Sequence, residues 1–335
     1  MARRLRSALP LALVAALAGA GSAHADAMVF VKRGDVWLAR PDGSRQVALT
    51  RNGTPRRSYS SPSIADDGTI VALKGATLHS FRPNGRRIVR PRRWGVATPT
   101  LSTLPISVDL SPNGRLVATD HALYESYVDP NTNQERPSML ARTTEFDDFR
   151  RNRTVGETDS YYEYGLPAWI DAGSVLFTNI GIFGAQVITA PLGRQSRGAD
   201  LFQDPDRDPL IQTNNQILSD AEMTRAGDRF AVMRRPLQGA GAGDPGAGTI
   251  VVYATGAPPS GSTPLCTIGP GRRIDFAPDP SWSPDGGTLF WHEVGVGLFS
   301  SPVTSAPGCG LAPRLVVRGA VQPDLSRATV PRRRR

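Results

Sequence analysis

Five times along the chain, a short segment whose third residue is large and apolar runs into a turn closed by glycine. The closing glycines are Gly68, Gly114, Gly173, Gly227 and Gly286, at intervals of 46, 59, 54 and 59 residues. The segments before them align as residues 62–67, 108–113, 167–172, 221–226 and 280–285, with Ile64, Leu110, Trp169, Met223 and Trp282 at the third place. A period of this length marks an array of like units, none of which buries its apolar face alone. The last copy, Ser283-Pro284-Asp285-Gly286, supplies the mechanics of the turn. Proline presets φ, Ser and Asp side chains accept backbone N–H groups, and glycine closes without a Cβ clash.

An apolar stretch follows each glycine, at residues 70–73, 116–118, 175–177, 230–233 and 289–291. Third strands are expected at residues 77–81, 186–189, 250–253 and 297–300, and more polar fourth strands at residues 87–90 and 314–317. Four strands per repeat make one propeller blade. The 34 glycines, 29 prolines and 7% aromatic residues suit many short strands joined by turns. Residues 28–50 supply the second, third and fourth strands of a blade but no first, and Gln322-Pro323-Asp324-Leu325-Ser326 matches a first strand with nothing after it. The expectation is an all-β, six-bladed β-propeller over residues 26–330. Its blades are four-stranded and antiparallel, and the closing blade is shared by the two ends of the chain. Residues 130–158 and 193–216 read as long polar insertions.

Gly34-Asp35-Val36-Trp37, Pro41-Asp42-Gly43-Ser44 and residues 280–286 resemble the TolB-type propeller repeat, a WD-like family of bacterial envelope proteins. The resemblance covers nearly the whole chain after residue 25 and is sharp in the first and last repeats. The repeats begin only a few residues past Asp26, leaving no room for that family's separate N-terminal α/β domain. The resemblance implies protein–protein contact across one rim of the disc. Some propellers related by this repeat are polysaccharide lyases, in which a metal and a base in the channel take a proton from an acidic sugar. That is the enzymatic alternative.

Arg3, Arg4 and Arg6, the apolar run at residues 9–20 and Ala23-His24-Ala25 form a secretory signal peptide over residues 1–25, with cleavage before Asp26. The run is short of the roughly 20 apolar residues of a transmembrane span. The reading is an exported monomer with no transmembrane anchor, in the periplasmic, cell-wall or extracellular space. Residues 331–335 read as a basic disordered tail. Charge is uneven, since residues 32–93 hold fourteen basic and four acidic residues. Arg56, Arg57, Arg86, Arg87, Arg90, Arg92 and Arg93 make the basic patch. For an exported protein such a patch suits an envelope protein or an anionic cell-wall polymer rather than nucleic acid; a solvated surface with no partner is the bland alternative.

No G-x-S-x-G elbow is present, His79, His121 and His292 lack zinc-ligand spacing, and no catalytic residue is assigned. Cys266 and Cys309, the only cysteines, are expected to form a disulfide in an oxidising compartment. It would tie the outer part of the fifth blade to the loop before the last strand of the sixth. Asp204-Pro205-Asp206-Arg207-Asp208 resembles the start of a calcium loop, but Pro209 and Asn215 stand where glycine and glutamate belong, so an exposed acidic insertion is expected. The second place of the first strands reads Ser63, Asp109, Ala168, Glu222, Ser281 and Asp324. First strands line a propeller's channel, which brings Asp109, Glu222 and Asp324 in from alternate blades. They are candidate ligands for a metal such as calcium or for a cationic ligand. The alternative is that they cap turns or pair with arginine. No other cofactor is implied.

Overall fold

The structure is a computed structural model that describes residues 26–94, 101–129, 131–158, 164–179, 186–192, 194–196, 199–204, 216–236, 248–269, 272, 274 and 279–331. The signal-peptide reading at residues 1–25 lies outside the described residues, as do the last four arginines. The described residues form strands and turns, and none of their helices is long and apolar enough to cross a membrane.

Six sheets follow one another around a ring, and each begins at the channel with its first strand. Blade one is β25 (Ala320–Ser326), β1 (Ala27–Lys32), β2 (Asp35–Ala39) and β3 (Val47–Ala48). Blade two is β4 (Tyr59–Ile64), β5 (Ile70–Lys74), β6 (Thr77–Phe81) and β7 (Arg92–Arg93). Blade three is β8 (Leu101–Leu110), β9 (Val117–Asp129), β10 (Gln134–Asp148) and β11 (Arg153–Thr158). Blade four is β12 (Tyr164–Trp169), β13 (Ser174–Asn179), β14 (Gln186–Pro191) and β16 (Ala199–Gln203). Blade five is β17 (Gln216–Met223), β18 (Arg229–Pro236), β19 (Thr249–Ala254) and β20 (Thr263–Ile268). Blade six is β21 (Ser281–Trp282), β22 (Thr288–Glu293), β23 (Gly297–Pro302) and β24 (Arg314–Arg318).

The ends of the chain share a blade as expected. β25 pairs antiparallel with β1, from Ala27 opposite Ser326 to Lys32 opposite Ala320. Two readings need correction. Residues 131–158 are not an insertion but the outer half of blade three, in which β9 and β10 make a long hairpin. The segment at 193–216 contains a short strand, β15 (Arg194–Ser196), that crosses back to pair in parallel with β11 and adds a fifth strand to blade three.

Each third-place residue is a plug between neighbouring blades. Ile64 packs in the cluster between blades one and two, Leu110 between two and three, and Trp169 between three and four. Met223, Trp282 and Leu325 fill the remaining three clusters. All six are buried. Six plugs in six separate clusters explain why one column of the sequence specifies the ring: every blade buries its apolar face against the next. Three of the four prolines at the first place, Pro62, Pro167 and Pro323, line the channel on the free edge of the innermost strands, where no partner needs their missing N–H. The turn glycines Gly68, Gly114, Gly227 and Gly286 have φ between 69° and 81°. Gly286 N–H donates to the Ser283 carbonyl at 2.7 Å.

Cys266, on β20, and Cys309, in the loop before β24, form a disulfide. It clasps the outer part of blade five to blade six, where Gly308 N–H also donates to the Leu265 carbonyl at 2.8 Å. Closing a loop of 43 residues contributes roughly 4 kcal/mol as a ceiling in the chain-entropy account. Calorimetric scans should show the reduced protein melting several degrees below the oxidised one. An unchanged melt would mean that the loop is held by its other contacts.

Candidate functional site

Five of the six second-place residues, Ser63, Asp109, Ala168, Glu222 and Asp324, line an axial cavity of about 120 Å³ to which the innermost segments of all six blades contribute. The geometry brings Asp109, Glu222 and Asp324 together as expected and shows what each carboxylate does. Asp109 Oδ2 accepts Trp169 N–H at 2.8 Å, Glu222 Oε1 accepts Trp282 N–H at 3.2 Å, and Asp324 Oδ2 accepts Ile64 N–H at 2.7 Å. Every acid therefore receives the third-place N–H of the next blade. The two tryptophans add a second hold: their indole N–H groups donate to the Asp109 and Glu222 carbonyls, each at 3.1 Å. Ser63 works as the hub between two acids. Its Oγ donates at 2.7 Å to Asp109 and sits 2.8 Å from Asp324, while accepting Leu110 N–H at 3.0 Å. Ala168, with no polar side chain, leaves one junction without this link.

These side chains touch a channel only a few waters wide and are otherwise enclosed by protein, which disfavours their charged forms. Asp109 is pushed up to about 7, by burial first and then by the Asp324 charge. Glu222 is held well above the usual carboxylate range by burial and by Asp324 and Asp109, and burial also raises Asp324. For a metal ion the set is a poor fit. Both oxygens of Asp109 and of Asp324 already accept donors, as does Glu222 Oε1. Among the described residues no group of three or more His, Cys, Asp and Glu side chains is arranged to hold a metal. What this arrangement does chemically is clasp blade to blade.

A second ring lies two residues earlier on the first strands, and sequence reasoning missed it. Ser61, Leu166, Asp220, Asp279 and Gln322 all have φ between 44° and 58°. In blades one, two, four and five the bulge that sets this conformation is a register shift against the second strand. Gln322 Oε1 accepts Ser61 N–H at 3.0 Å, and Asp220 Oδ2 accepts Asp279 N–H at 2.5 Å. Burial first, then the Asp279 charge, raises Asp220 well above its ordinary range. Between blades three and four the same N–H, that of Leu166, goes to Asp120 at 3.1 Å. Asp120 is buried with Arg142, whose guanidinium occupies the space a Cβ on Gly165 would need, at 2.7 Å. The signal available in the sequence was the same repeat column, shifted by two.

At the turn face Arg225 of blade five reaches across the channel to Asp66 of blade two, the blade opposite. The pair is bidentate, at 2.5 and 2.7 Å, and Asp66 also accepts Arg327 N–H at 2.9 Å. This strut stands over the channel mouth.

The three described histidines lie in different blades and are packed against neighbouring side chains. His79 is packed among Tyr59 and Phe81 and lowered to about 4, by burial first and then by Arg87 and Lys74. His121 is buried beside Trp94, and His292 Nδ1 lies 3.2 Å from Asp279. Asp204 is buried and paired with Arg234 at 2.8 Å, so it is no exposed acid. Residues 205–215 of that loop lie outside the described residues.

The arginines of the basic patch lie elsewhere, on the outer rim of blade two. Arg86 and Arg87 begin the outermost segment of the blade, Arg90, Arg92 and Arg93 continue it, and Arg56 and Arg57 lie in the turn leading into β4. All seven are exposed. Among the described residues none of the seven guanidinium groups forms an ion pair; Arg92 lies over the Trp94 ring, 5.8 Å from its centroid.

No family model matches the chain, and no curated protein matches it. Solved structures do. The periplasmic gluconolactonase of Pseudomonas aeruginosa is similar over 91% of this chain and 99% of its own, with a TM-score of 0.52 at 13% identity. A protein of unknown function from Bacteroides caccae is similar over 90% and 99%, with a TM-score of 0.51 at 9% identity. An oligogalacturonate lyase in complex with manganese is similar over 85% and 70%, with a TM-score of 0.48 at 9% identity. Likeness at this identity carries the fold and not the TolB-type family or an activity. By its six sheets in a ring the chain is a six-bladed β-propeller.

Proposed function

We propose that this chain is an exported, non-catalytic propeller that binds an anionic polymer of the cell envelope through the arginine rim of blade two. The observation that carries this reading is the set of seven exposed arginines, none of them in an ion pair with a described residue, although the charge of Arg92 is felt by Glu145 and Asp147 of blade three. Surface guanidinium groups are ordinarily interspersed with carboxylates. A rim of one sign raises the local potential and draws in polyanions over about a Debye length. The arginine fork also suits carboxylate and phosphate groups, which it takes in two parallel hydrogen bonds. The channel carboxylates are committed to backbone N–H groups and lend the lyase alternative no support.

Sedimentation or calorimetry with polyglutamate and with alginate tests the proposal. Wild-type protein should bind both, more weakly as salt rises. Reversing Arg56, Arg86, Arg87, Arg90 and Arg93 to Glu should cut affinity at least tenfold with the melting temperature little changed, because these exposed side chains make no ion pair or ring contact to lose. Binding that ignores the five reversals, or no binding to either polymer, would sink the polymer reading and leave an envelope protein as the partner to seek.

A further inference from the structure

Beside the arginine rim, blade one carries a cleft that none of the readings above uses. Asp35, Trp37, Val47, Ala48, Thr50 and Arg51 line about 640 Å³ of it, within the range of small-ligand pockets. Its floor is the half-buried Trp37, whose inner part packs on the cluster between blades six and one. The indole is fixed in orientation, since its N–H donates to the Lys32 carbonyl at 3.0 Å. Val47 and Ala48, half-exposed, extend the apolar surface.

Three charges surround this floor: Lys32, whose Nζ lies 5.7 Å from the Trp37 ring centroid and donates to Gln46 Oε1 at 3.0 Å, and the opposite charges of Asp35 and Arg51. Asp35 Oδ1 accepts Thr50 Oγ–H at 2.7 Å and Gly53 N–H at 2.8 Å, while Oδ2 has no described partner. Arg51 is exposed and forms no ion pair with a described residue. Asp35 does not neutralise it, although the two sit on one cleft. The separation is built in. The loop after Arg51 is pressed against the turn at Gly34, where a Cβ on Gly53 would collide with the Gly34 carbonyl oxygen. That loop continues to Arg56 and Arg57, the first arginines of the rim.

We infer that this cleft binds one residue of an acidic sugar chain. This rests on the polyanion reading and names its chemistry. A pyranose presents a face of C–H groups, weakly positive, to the negative face of an indole. Its hydroxyls donate to a carboxylate such as Asp35 Oδ2, and its own carboxylate takes the arginine fork of Arg51. A polypeptide or polyphosphate chain meets the arginines equally well but has no such face for Trp37. The cleft thus sorts among the anions that the rim collects.

The test uses an alginate trimer, neutral maltotriose and polyglutamate, followed by Trp fluorescence and calorimetry on the intact protein. The alginate trimer should bind at least tenfold better than maltotriose, and Trp37→Ala and Arg51→Ala should each weaken it at least tenfold. Trp37→Phe should keep most of the affinity. Arg51→Ala removes an exposed side chain with no ion pair, so it reports even if Trp37→Ala fails to fold. Polyglutamate binding should be untouched by Trp37→Phe and Arg51→Ala. Equal trimer binding by wild type and Arg51→Ala, or equal binding of the neutral sugar, overturns the inference. If the five-arginine reversal abolishes polyglutamate binding while the trimer still needs Trp37 and Arg51, both readings stand. If the trimer binds and polyglutamate never does, the cleft survives and the rim reading falls.

Discussion

A chain ended at Gly319 should lose its cooperative melt. The missing segment is β25 and the residues after it, and β25 is the first strand of a blade whose other three strands come from the opposite end of the chain. Its loss takes Leu325 out of the cluster between blades six and one, and Ala328 and Val330 out of the cluster between one and two. It also uncovers Met28 and Phe30, both fully buried. At roughly 1.5–3 kcal/mol for each large side chain, the sum is on the order of 10 kcal/mol, comparable with the whole stability of a domain. The truncation further removes Asp324 from both Ser63 and Ile64, so the polar ring opens at the same place as the apolar one. Circular dichroism melting with gel filtration checks this. A synthetic peptide of residues 318–331 added in trans should restore part of the transition, because the strand it replaces is held by non-covalent contacts alone. A truncated chain that melts within a few degrees of the full one would show that the ring does not depend on this closure.

The parts of the fold that were legible in the sequence are those fixed by one residue at one place in each repeat. Trp282 must fill a gap between blades wherever the repeat puts it, and Glu222 must lie one residue before such a plug. The next blade's backbone then finds it. What escaped notice depends on pairing between distant segments. Residues 134–148 read as an insertion because β10 buries polar residues beside the large apolar Phe146: Arg142 points in and pairs with Asp120, and Thr144 is buried with its backbone N–H donating to Thr158 Oγ1. A periodicity of apolar residues cannot report such a strand. β15 is three residues long and pairs across a blade boundary, so nothing local marks it. The left-handed conformations of Leu166 and Asp220 come from bulges, and neither residue type announces one. The arginine rim was legible as a count, whereas its lack of ion pairs with described residues is a fact of position. The Trp37 cleft required the loop at Gly53 to fold back on Gly34, which only the tertiary structure reveals.

Replacing Glu222 by Gln should stabilise the protein at pH 8 and do little at pH 4. The sign follows from linkage. A carboxyl whose folded pKa lies above its unfolded value binds protons more tightly when folded, so stability falls as pH rises from the unfolded pKa through the folded one. For Asp109, raised from 3.8 to about 7, the window is therefore pH 4 to 7, and the penalty is complete above it. The penalty at that site is on the order of a few kcal/mol. Glu222 is raised by burial and by the charges of Asp324 and Asp109, so an amide there removes that penalty. The amide oxygen still accepts Trp282 N–H, which preserves the clasp. His79 runs the other way: lowered to about 4, it costs stability as pH falls below its ordinary 6.5. That contribution is the same in both proteins and cancels in their difference. Urea unfolding of wild type and Glu222→Gln at pH 4, 6 and 8 should give a stability gap of a few kcal/mol that opens with pH. A gap that stays constant, or a variant less stable at pH 8, would mean that the three acids carry their charges without strain. The ring at the centre of the propeller would then be an ionised one, with water rather than protons keeping its carboxylates apart.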